Sequence, residues 1–564
     1  MKKNIFFKIK KEIPLAIVIL AVLLVGWALT KPGYFSMHDD IQVMRLFEME
    51  RCFKDGQIPC RWVPDMGAGY GHPLFNYHPV FPYYLGMIFR LFGLSFLVTA
   101  KILFFLSFLL SAVFMYFLAK EFFGKWAGMT AGVFYILAPY YALDVYVRGA
   151  LTEAWAISFF PLILWGIYKL VKTNKFSYLL LNIFSLTVLF LSHNIMIMIF
   201  SPIALIWGIY WAIQAKKIKR IFSLGVAFLW AVGLSAFFLL PAFFEKSLVT
   251  IGQQNSGYYN FRDHFATLRQ LFIDRSWGYG PSRIGPDDDL SFQLGWPYWQ
   301  LVIVAFGAFL WQLKDKKFFR PLAFFLALFS IAIFMTHAKS VFLWQGIPLL
   351  SFVQFPWRFL AIAMLASSFI VGALVGIFKR VHWQILLALI LVSGTLFLNL
   401  GYFYPQKYDL QMTDSQKLND EEWQIQSRAT LSDYVPVGVK TMPAGIAPEN
   451  PWIIEGEAKI TGFQKRSNFW RFTVEVIGRQ DVVVEVPVFD FSVWQIFVDS
   501  QETAYQVNPE TGLIQVKVPV NKRTVTGWLK DTPLRKMANT LSLFSFSGLI
   551  LLIAWQENKG KREK

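Results

Sequence analysis

The first residues able to do chemistry are two adjacent carboxylates, Asp39 and Asp40, in the run Ser36-Met-His38-Asp39-Asp40. An ionised pair of this kind can act as a general base or hold a divalent cation. It can equally do structural work, because Asp is a favoured helix N-cap and complements the positive end of the helix dipole. Further polar groups follow: Arg61, His72 and Asn76 in a Gly- and Pro-punctuated stretch, then Asp144, Arg148 and Glu153 within eleven or so residues. Ser192-His193-Asn194, Arg262-Asp263-His264 and Gln354-Phe-Pro-Trp357-Arg358 complete the set. Arginine suits a phosphate, which its planar fork can grip in two places. Taken singly, each of these residues reads as an interfacial residue or a helix-end ion pair. Taken together they suggest one enclosed polar site, because charge near membrane depth is expensive. The acidic run Asp287–Asp289 has no EF-hand spacing and reads as a solvated loop.

The elements that must position these groups are written in the composition. Over 564 residues the chain is 55% hydrophobic and 18% aromatic with only 16% charge, and its mean hydropathy is +0.45. That is a lipid-solvated composition. Apolar runs long enough to cross a hydrocarbon core of about 30 Å recur. They fall near Ile13–Leu29, Val98–Leu118, Trp126–Tyr140, Ala154–Leu170, Phe176–Leu191 and Ile195–Ile213. The others fall near Ile221–Leu240, Pro297–Trp311, Pro321–Met335, Trp357–Ile377, Trp383–Leu400 and Met537–Trp555. The first has a basic start and an apolar core like a signal peptide, but it lacks a small-residue cleavage site and reads as a retained helix.

Orientation follows from Lys and Arg in the short connections. Both termini are basic, and so are the turns at Lys120/Lys125, Lys169/Lys172/Lys175, Lys216/Lys217/Lys219/Arg220, Lys314/Lys316/Lys317/Arg320 and Lys379/Arg380. Threading the spans places all seven segments on one side, and they account for the whole of the +18 formal net charge. The basic balance is therefore a topology signal, and a nucleic-acid reading has nothing left to rest on. Both ends are expected inside. The chain holds no Asn-x-Ser/Thr sequon, which leans toward a bacterial plasma membrane.

Three long segments are then outside: 30–97, 241–296 and 401–536. Cys52 and Cys60 fall in the first, in oxidising territory where a small disulfide is plausible; two free thiols in a reduced niche are the alternative. A helix with apolar Ile41, Met44 and Phe47 follows the acid pair, and Val80–Phe92 reads as a second amphipathic stretch of the same loop. In the third segment, Phe472–Val476, Val484–Val486 and Ile514–Val518 alternate apolar and polar residues, and Phe491–Asp499 reads as one core strand. The fold expected is an α-helical polytopic membrane protein with an extracytoplasmic β-sandwich-like domain before its last helix. Its divisions are 1–400 for the transmembrane part, 401–536 for the β-rich part and 537–564 for the final helix with its basic tail.

At this point a family resemblance enters. His38-Asp39-Asp40, Gly56-Gln-Ile-Pro-Cys-Arg-Trp62, Gly69-Tyr-Gly-His-Pro-Leu-Phe-Asn-Tyr77, Arg148-Gly-Ala-Leu-Thr-Glu153, Ser192-His-Asn194 and Gln354-Phe-Pro-Trp-Arg358, in that order, resemble the bacterial membrane family labelled 6-pyruvoyl-tetrahydropterin synthase-related. The wider layout, a span followed by a long acidic-led outer loop with two amphipathic helices and then many spans, resembles the GT-C glycosyltransferase superfamily. No soluble pterin-synthase domain and no three-histidine zinc motif accompanies the likeness, and His78 stands where a second aromatic is expected after Tyr77.

The resemblance implies transfer of a sugar from a polyprenyl-phosphate donor to a glycan, lipid or protein acceptor at the outer membrane face. It puts the catalytic base on Asp39, with Asp40 supporting it or helping to hold a divalent cation. It implies substrate or phosphate contacts from His38, Arg61, His72, Asn76, Arg148, His193, Arg262, His264 and Arg358, with Glu153 orienting Arg148. Two other classes remain open at this stage. A lipid or polysaccharide flippase would need intramembrane charge but typically shows internal repeats, and none is convincing here. A non-catalytic envelope scaffold would have no need of Asp39 and Asp40.

Overall fold

In lipid a backbone must satisfy its own hydrogen bonds, which leaves apolar runs of this length to helices. The computed structural model describes residues 2–250, 257–283, 288–311, 316–491 and 493–562. Asp287 of the acidic run, and Lys314 and Lys564 of the basic segments, lie outside them. Every apolar run identified above coincides with a helix. Among the described residues, eight helices are long and apolar enough to cross a membrane, and two shorter apolar helices cover Ile13–Val25 and Phe176–Ser192. The chain gathers into two compact units, one of residues 1–40, 97–231 and 253–412, the other of residues 41–96, 232–252 and 413–564.

The first unit is helical. At its centre lies the Leu360–Gly376 helix, buried along nearly its whole length, beside the Lys125–Ile136 helix. Small residues permit the contact: a Cβ on Gly372 would come within 2.7 Å of the Ala127 carbonyl, and on the Lys125–Ile136 helix a Cβ on Gly132 would come within 2.6 Å of the Ala112 carbonyl of the Phe96–Phe123 helix. Close backbone approach of this sort is how helices associate where lipid supplies no hydrophobic drive. Large apolar side chains such as Phe397 and Ile390 remain exposed, as lipid-facing positions should. One short antiparallel pair joins distant parts of the unit. Strand β1 (Tyr34–Phe35) meets β2 (Tyr408–Asp409) with Tyr34 opposite Asp409 and Phe35 opposite Tyr408.

The second unit contains the Gln42–Lys54 and Phe81–Leu91 helices, and a disulfide joins Cys52 in the last turn of the first to Cys60 in the connection that follows. Its larger part is two antiparallel sheets. Strands β3 (Trp452–Glu455), β4 (Ala458–Lys465), β5 (Phe469–Val476), β6 (Val482–Phe489), β7 (Trp494–Val498), β8 (Gln501–Thr503), β9 (Gln506–Val507), β10 (Leu513–Val518) and β11 (Lys522–Leu529) follow in chain order. The sheets run β3-β6-β10-β9 and β4-β5-β11-β7-β8. Alternate residues of both, including Phe472, Val474, Val484, Val486, Val516 and Val525, fill one core with Trp470 and Trp494, which is the period-two pattern realised. The core strand expected from Phe491 starts later, at Trp494; Phe491 packs into the same core from the preceding turn. Beyond the sheets, the Pro533–Arg562 helix packs close to the 232–244 segment, where Ser542 Oγ donates to the Gly233 carbonyl (3.0 Å) and accepts from Phe237 N (2.9 Å).

Candidate active site

The site in the first unit is built on an irregular turn. Over Leu143–Val147 the helix widens: Arg148 N donates to the Leu143 carbonyl five residues back (2.8 Å), and Ala150 N reaches the Asp144 carbonyl (2.8 Å). Widened turns of this type often re-aim side chains at functional positions. Gly149 follows at φ +63°, and a Cβ there would lie 2.2 Å from Met37 Sδ. That close approach lets the 37–39 segment pair with the turn through its backbone. His38 N donates to the Val147 carbonyl and Asp39 N to the Arg148 carbonyl, both at 2.9 Å. Asp39 and Asp40 are partly exposed. The N-cap of the next helix is Ile41, so capping is not what Asp39 does there. His38 is exposed and its Nε2 donates to the Tyr279 carbonyl (2.7 Å).

Below the acid pair is a buried ionic core. Arg148 Nη1 is paired with Asp144, and Nη2 donates to Glu153 Oε2 (2.9 Å). The Tyr140 hydroxyl donates to Glu153 Oε1 (2.5 Å). The same Glu153 Oε2 has Arg358 Nε at 3.7 Å and His193 Nε2 at 3.8 Å. Glu153 thus faces two guanidiniums and an imidazole while itself inaccessible to solvent. Arg358 is steadied by its Nη1, which donates to the Val353 carbonyl (2.8 Å) and Gln354 Oε1 (3.2 Å), whereas its buried Nε makes no hydrogen bond among the described residues.

Protonation states follow from these surroundings. His193 Nδ1 accepts from Met196 N (3.2 Å) at a helix start, so the proton sits on Nε2, facing Glu153. Burial lowers this imidazole to about 3 against the upward pull of Glu153, so it is neutral at physiological pH. Burial also raises the Asp144 carboxyl well above the usual range, and nearby Glu153 adds to the effect. Of the two acids sharing Arg148, Asp144 is the one that would take a proton first. Burial alone would lower the Arg148 guanidinium; Glu153 and Asp144 more than offset this and hold it charged.

An aromatic wall closes one side. The Trp357 ring lies 4.8 Å from the Arg148 guanidinium and stacks between Phe292 and Phe355 at 5.6 and 4.9 Å. Phe355 in turn contacts the His264 ring at 4.7 Å. His264 therefore borders the site through aromatic rings, and its polar contacts point elsewhere: Nδ1 to Ser282 Oγ (2.8 Å) and Nε2 to the Tyr258 carbonyl (2.5 Å). Asp288 is not a solvated loop residue. It is half-buried and accepts from Ser282 Oγ (2.9 Å) and Gln270 Nε2 (2.8 Å). Arg262 is exposed, with the ring of Phe261 5.8 Å from its guanidinium.

Arg61, His72 and Asn76 belong to the second unit, where each has its own partners. Arg61 donates from Nη1 to Asn76 Oδ1 (3.2 Å) and from Nη2 to Asn539 Oδ1 (2.8 Å), and Asn76 Nδ2 donates to Glu245 Oε2 (3.1 Å). His72 is buried and its Nε2 donates to the Asp433 carbonyl (2.7 Å). Sequence reasoning passed over Tyr140, Glu245 and Arg535. Tyr140 was assigned to the end of a span, and Glu245 is a lone acid closing an apolar run. Both were visible as polar groups at span ends, but nothing in the sequence says what they meet. Among the described residues no group of three or more His, Cys, Asp or Glu is placed to hold a metal ion.

Comparisons with known proteins bear on this arrangement. An uncharacterised protein of Lactococcus lactis subsp. cremoris is 24% identical over 206 residues, which is 35% of this chain and 34% of that one. The match thus spans about a third of that relative's length. Among solved structures, the Archaeoglobus fulgidus oligosaccharyltransferase tethered to an acceptor peptide is similar at 14% identity and a TM-score of 0.41, over 71% of this chain and 56% of that one. ArnT from Cupriavidus metallidurans bound to undecaprenyl phosphate is similar at 12% identity and a TM-score of 0.29, over 69% and 89%. Residues 75–400, more than half of the chain, match the family described as the 6-pyruvoyl-tetrahydropterin synthase related domain of membrane proteins. The chain is a membrane protein and belongs to that family.

Proposed function

We propose that this protein is a GT-C-type membrane glycosyltransferase that moves a sugar from a polyprenyl-phosphate-linked donor to an acceptor hydroxyl at the outer membrane face. The observation that carries the reading is the backbone bond from Asp39 N to the Arg148 carbonyl. It joins the main chain of a partly exposed acid to that of Arg148, whose guanidinium is itself fixed by buried acids. In the transfer, the acceptor oxygen forms a bond to the anomeric carbon as the bond from that carbon to the donor phosphate breaks. Asp39 takes the acceptor proton, and the lipid phosphate leaves with the bonding electrons. A base must lie within hydrogen-bond reach of the hydroxyl it deprotonates, and a partly exposed carboxylate at the rim of the site is accessible to one. Positive charge fixed at the leaving phosphate stabilises the charge that develops there.

The geometry refines the two arginines' shares. Arg148 gives one N–H of each η nitrogen to Asp144 and Glu153, so toward a phosphate it acts mainly through its charge. Arg358 keeps a buried Nε without a hydrogen bond among the described residues and is the better direct donor. Asp40 supports Asp39, and a divalent cation, if used, would be held by this acid pair.

Asp39→Asn tests the assignment. It preserves size and should reduce turnover by about 10²–10⁴-fold, the usual contribution of a general base, in protein whose unfolding transition is unchanged. Parent-like turnover would remove Asp39 as base. Orientation, with both termini cytoplasmic in a bacterial plasma membrane, is supported by the basic turns. Externally added thiol reagent should label a cysteine placed at Ser500 and leave one at Lys217 untouched; labelling at Lys217 would invert the topology and the side on which transfer occurs.

A further inference from the structure

A second polar cluster is buried in the other unit, around the first turn of the last helix. Arg535 has no accessible surface. Its Nε donates to Glu245 Oε2 (2.8 Å) and its guanidinium lies 4.9 Å from the Phe491 ring. Its Nη1 and Nη2, four N–H groups in all, find no acceptor among the described residues. Glu245 cannot supply more. Its Oε1 accepts from Thr532 Oγ1 (2.6 Å), and its Oε2 already accepts from Arg535 Nε and Asn76 Nδ2.

Arg61 belongs to the same cluster. It is almost fully buried, and its Nε makes no hydrogen bond among the described residues; the nearest carboxylate oxygen is Asp531 Oδ1, 3.4 Å away. Asp531 also accepts from Asn539 Nδ2 (2.9 Å), and about a third of its side chain is exposed. The cluster's charges pair off, Arg535 with Glu245 and Arg61 with Asp531, but its buried interior leaves five N–H groups in need of oxygen. The part-exposed Asp531 marks its opening.

We infer that Arg535 and Arg61 form a binding site for a phosphate group. The guanidinium fork of Arg535 presents paired donors at the spacing of two phosphate oxygens, and phosphate oxygens would satisfy the N–H groups that the cluster leaves open. Depth points to a source. Arg535 sits one turn inside an apolar helix that crosses the membrane, the level of lipid headgroups. An arginine so placed usually extends toward water; this one is held inside the protein instead. The site is separate from the acid-led site of the first unit, and the inference does not rest on the transfer reading.

The test uses the full-length protein in a phosphate-free maltoside detergent. Dioctanoyl phosphatidylglycerol, inorganic phosphate and neutral dioctanoylglycerol are titrated in turn, with binding read by calorimetry and by native mass spectrometry. Phosphatidylglycerol should bind at least tenfold more tightly than dioctanoylglycerol. Saturation by inorganic phosphate in the same range would make soluble phosphate the source, and its failure to bind would make the lipid headgroup the source. Arg535→Lys keeps the charge but loses the fork, and should weaken the phosphate-dependent part about tenfold. Arg61→Lys removes the inward Nε donor and should weaken it severalfold, which localises the site even where Arg535→Lys does not fold. Equal affinity for the phosphate-bearing and neutral probes in the parent would overturn the inference, as would parent-like binding by the folded variants.

Discussion

Glu153→Gln is the perturbation whose size can be worked most directly from the geometry. The carboxylate lies 2.9 Å from Arg148 Nη2 and 3.7 Å from Arg358 Nε. At an effective dielectric constant of about 20 these distances correspond to attractions of about 6 and 4–5 kcal/mol, offset by several kcal/mol for taking each ion out of water. Glutamine keeps the acceptor for the Tyr140 hydroxyl, removes the charge, and turns the oxygen that Arg148 Nη2 donates to into an NH2 group. Arg148 would retain Asp144, whereas Arg358 has no other carboxylate within ion-pair distance among the described residues. The cost should therefore fall mainly on Arg358, and breaking a buried pair of this kind typically costs about 3–5 kcal/mol. The reasoning also predicts a rescue. Removing the stranded guanidinium with Arg358→Met should make the double variant less destabilised than the sum of the two singles by about 2 kcal/mol or more. The assay is unfolding of the four proteins in mixed micelles with increasing dodecyl sulfate, followed by tryptophan fluorescence. Additivity within about 0.5 kcal/mol would refute the claim that Glu153 is the counter-charge of Arg358.

Other expectations concern the frame around the two sites. Gly149→Ala forces a side chain onto a left-handed backbone, costing roughly 1–2 kcal/mol, and pushes a Cβ toward Met37 Sδ; Met37→Ala in the same chain should return the steric part of the loss and leave the backbone part, as measured by the same unfolding assay. His72 is held near pKa 4 by burial, so as pH falls below about 6.5 the unfolded chain takes up a proton that the folded one refuses, and stability should decline toward pH 4 by up to about 3 kcal/mol. His72→Gln keeps a donor for the Asp433 carbonyl and should show a correspondingly shallower acid decline; a decline as steep as the parent's would mean that other groups cause it.

The helices were readable because lipid leaves an apolar segment one way to satisfy its backbone, and the sheets because Val482–Phe489 and Leu513–Val518 carry the expected β-branched runs. The site was readable only in parts. Arg148 and Glu153 lie five residues apart across a helix start, and their pairing is what the family resemblance implies rather than what spacing dictates. The approach of Asp39 to Arg148 could not be read, since it runs through carbonyl and amide groups that every residue possesses. Membrane depth and the family resemblance group Arg61, Asn76 and His72 with Arg148, and neither distinguishes one polar cluster from another. The partners that decide their place, Glu245, Asn539 and Asp433, lie 169 to 478 residues away along the chain. A capping role for Asp39 was equally compatible with the sequence, and only the start of the helix at Gln42 decides against it.

The backbone anchoring of Asp39 has a consequence for how this segment can vary in length. The chain is pinned at Tyr34 and Phe35 by their pairing with Asp409 and Tyr408, and again at His38 and Asp39 by the Val147 and Arg148 carbonyls. Ser36 N also donates to the Lys407 carbonyl (3.2 Å), so Met37 alone lies between the pinned amides. Because the pins are amides, side chains at 36 and 37 can be exchanged without moving the acid, within the space that Gly149 leaves. One inserted or deleted residue is a different matter: it would shift which residue presents its side chain beside Arg148 and turn the carboxylate to the other face. Between positions 35 and 39 the chain should therefore accept substitutions far more readily than insertions or deletions.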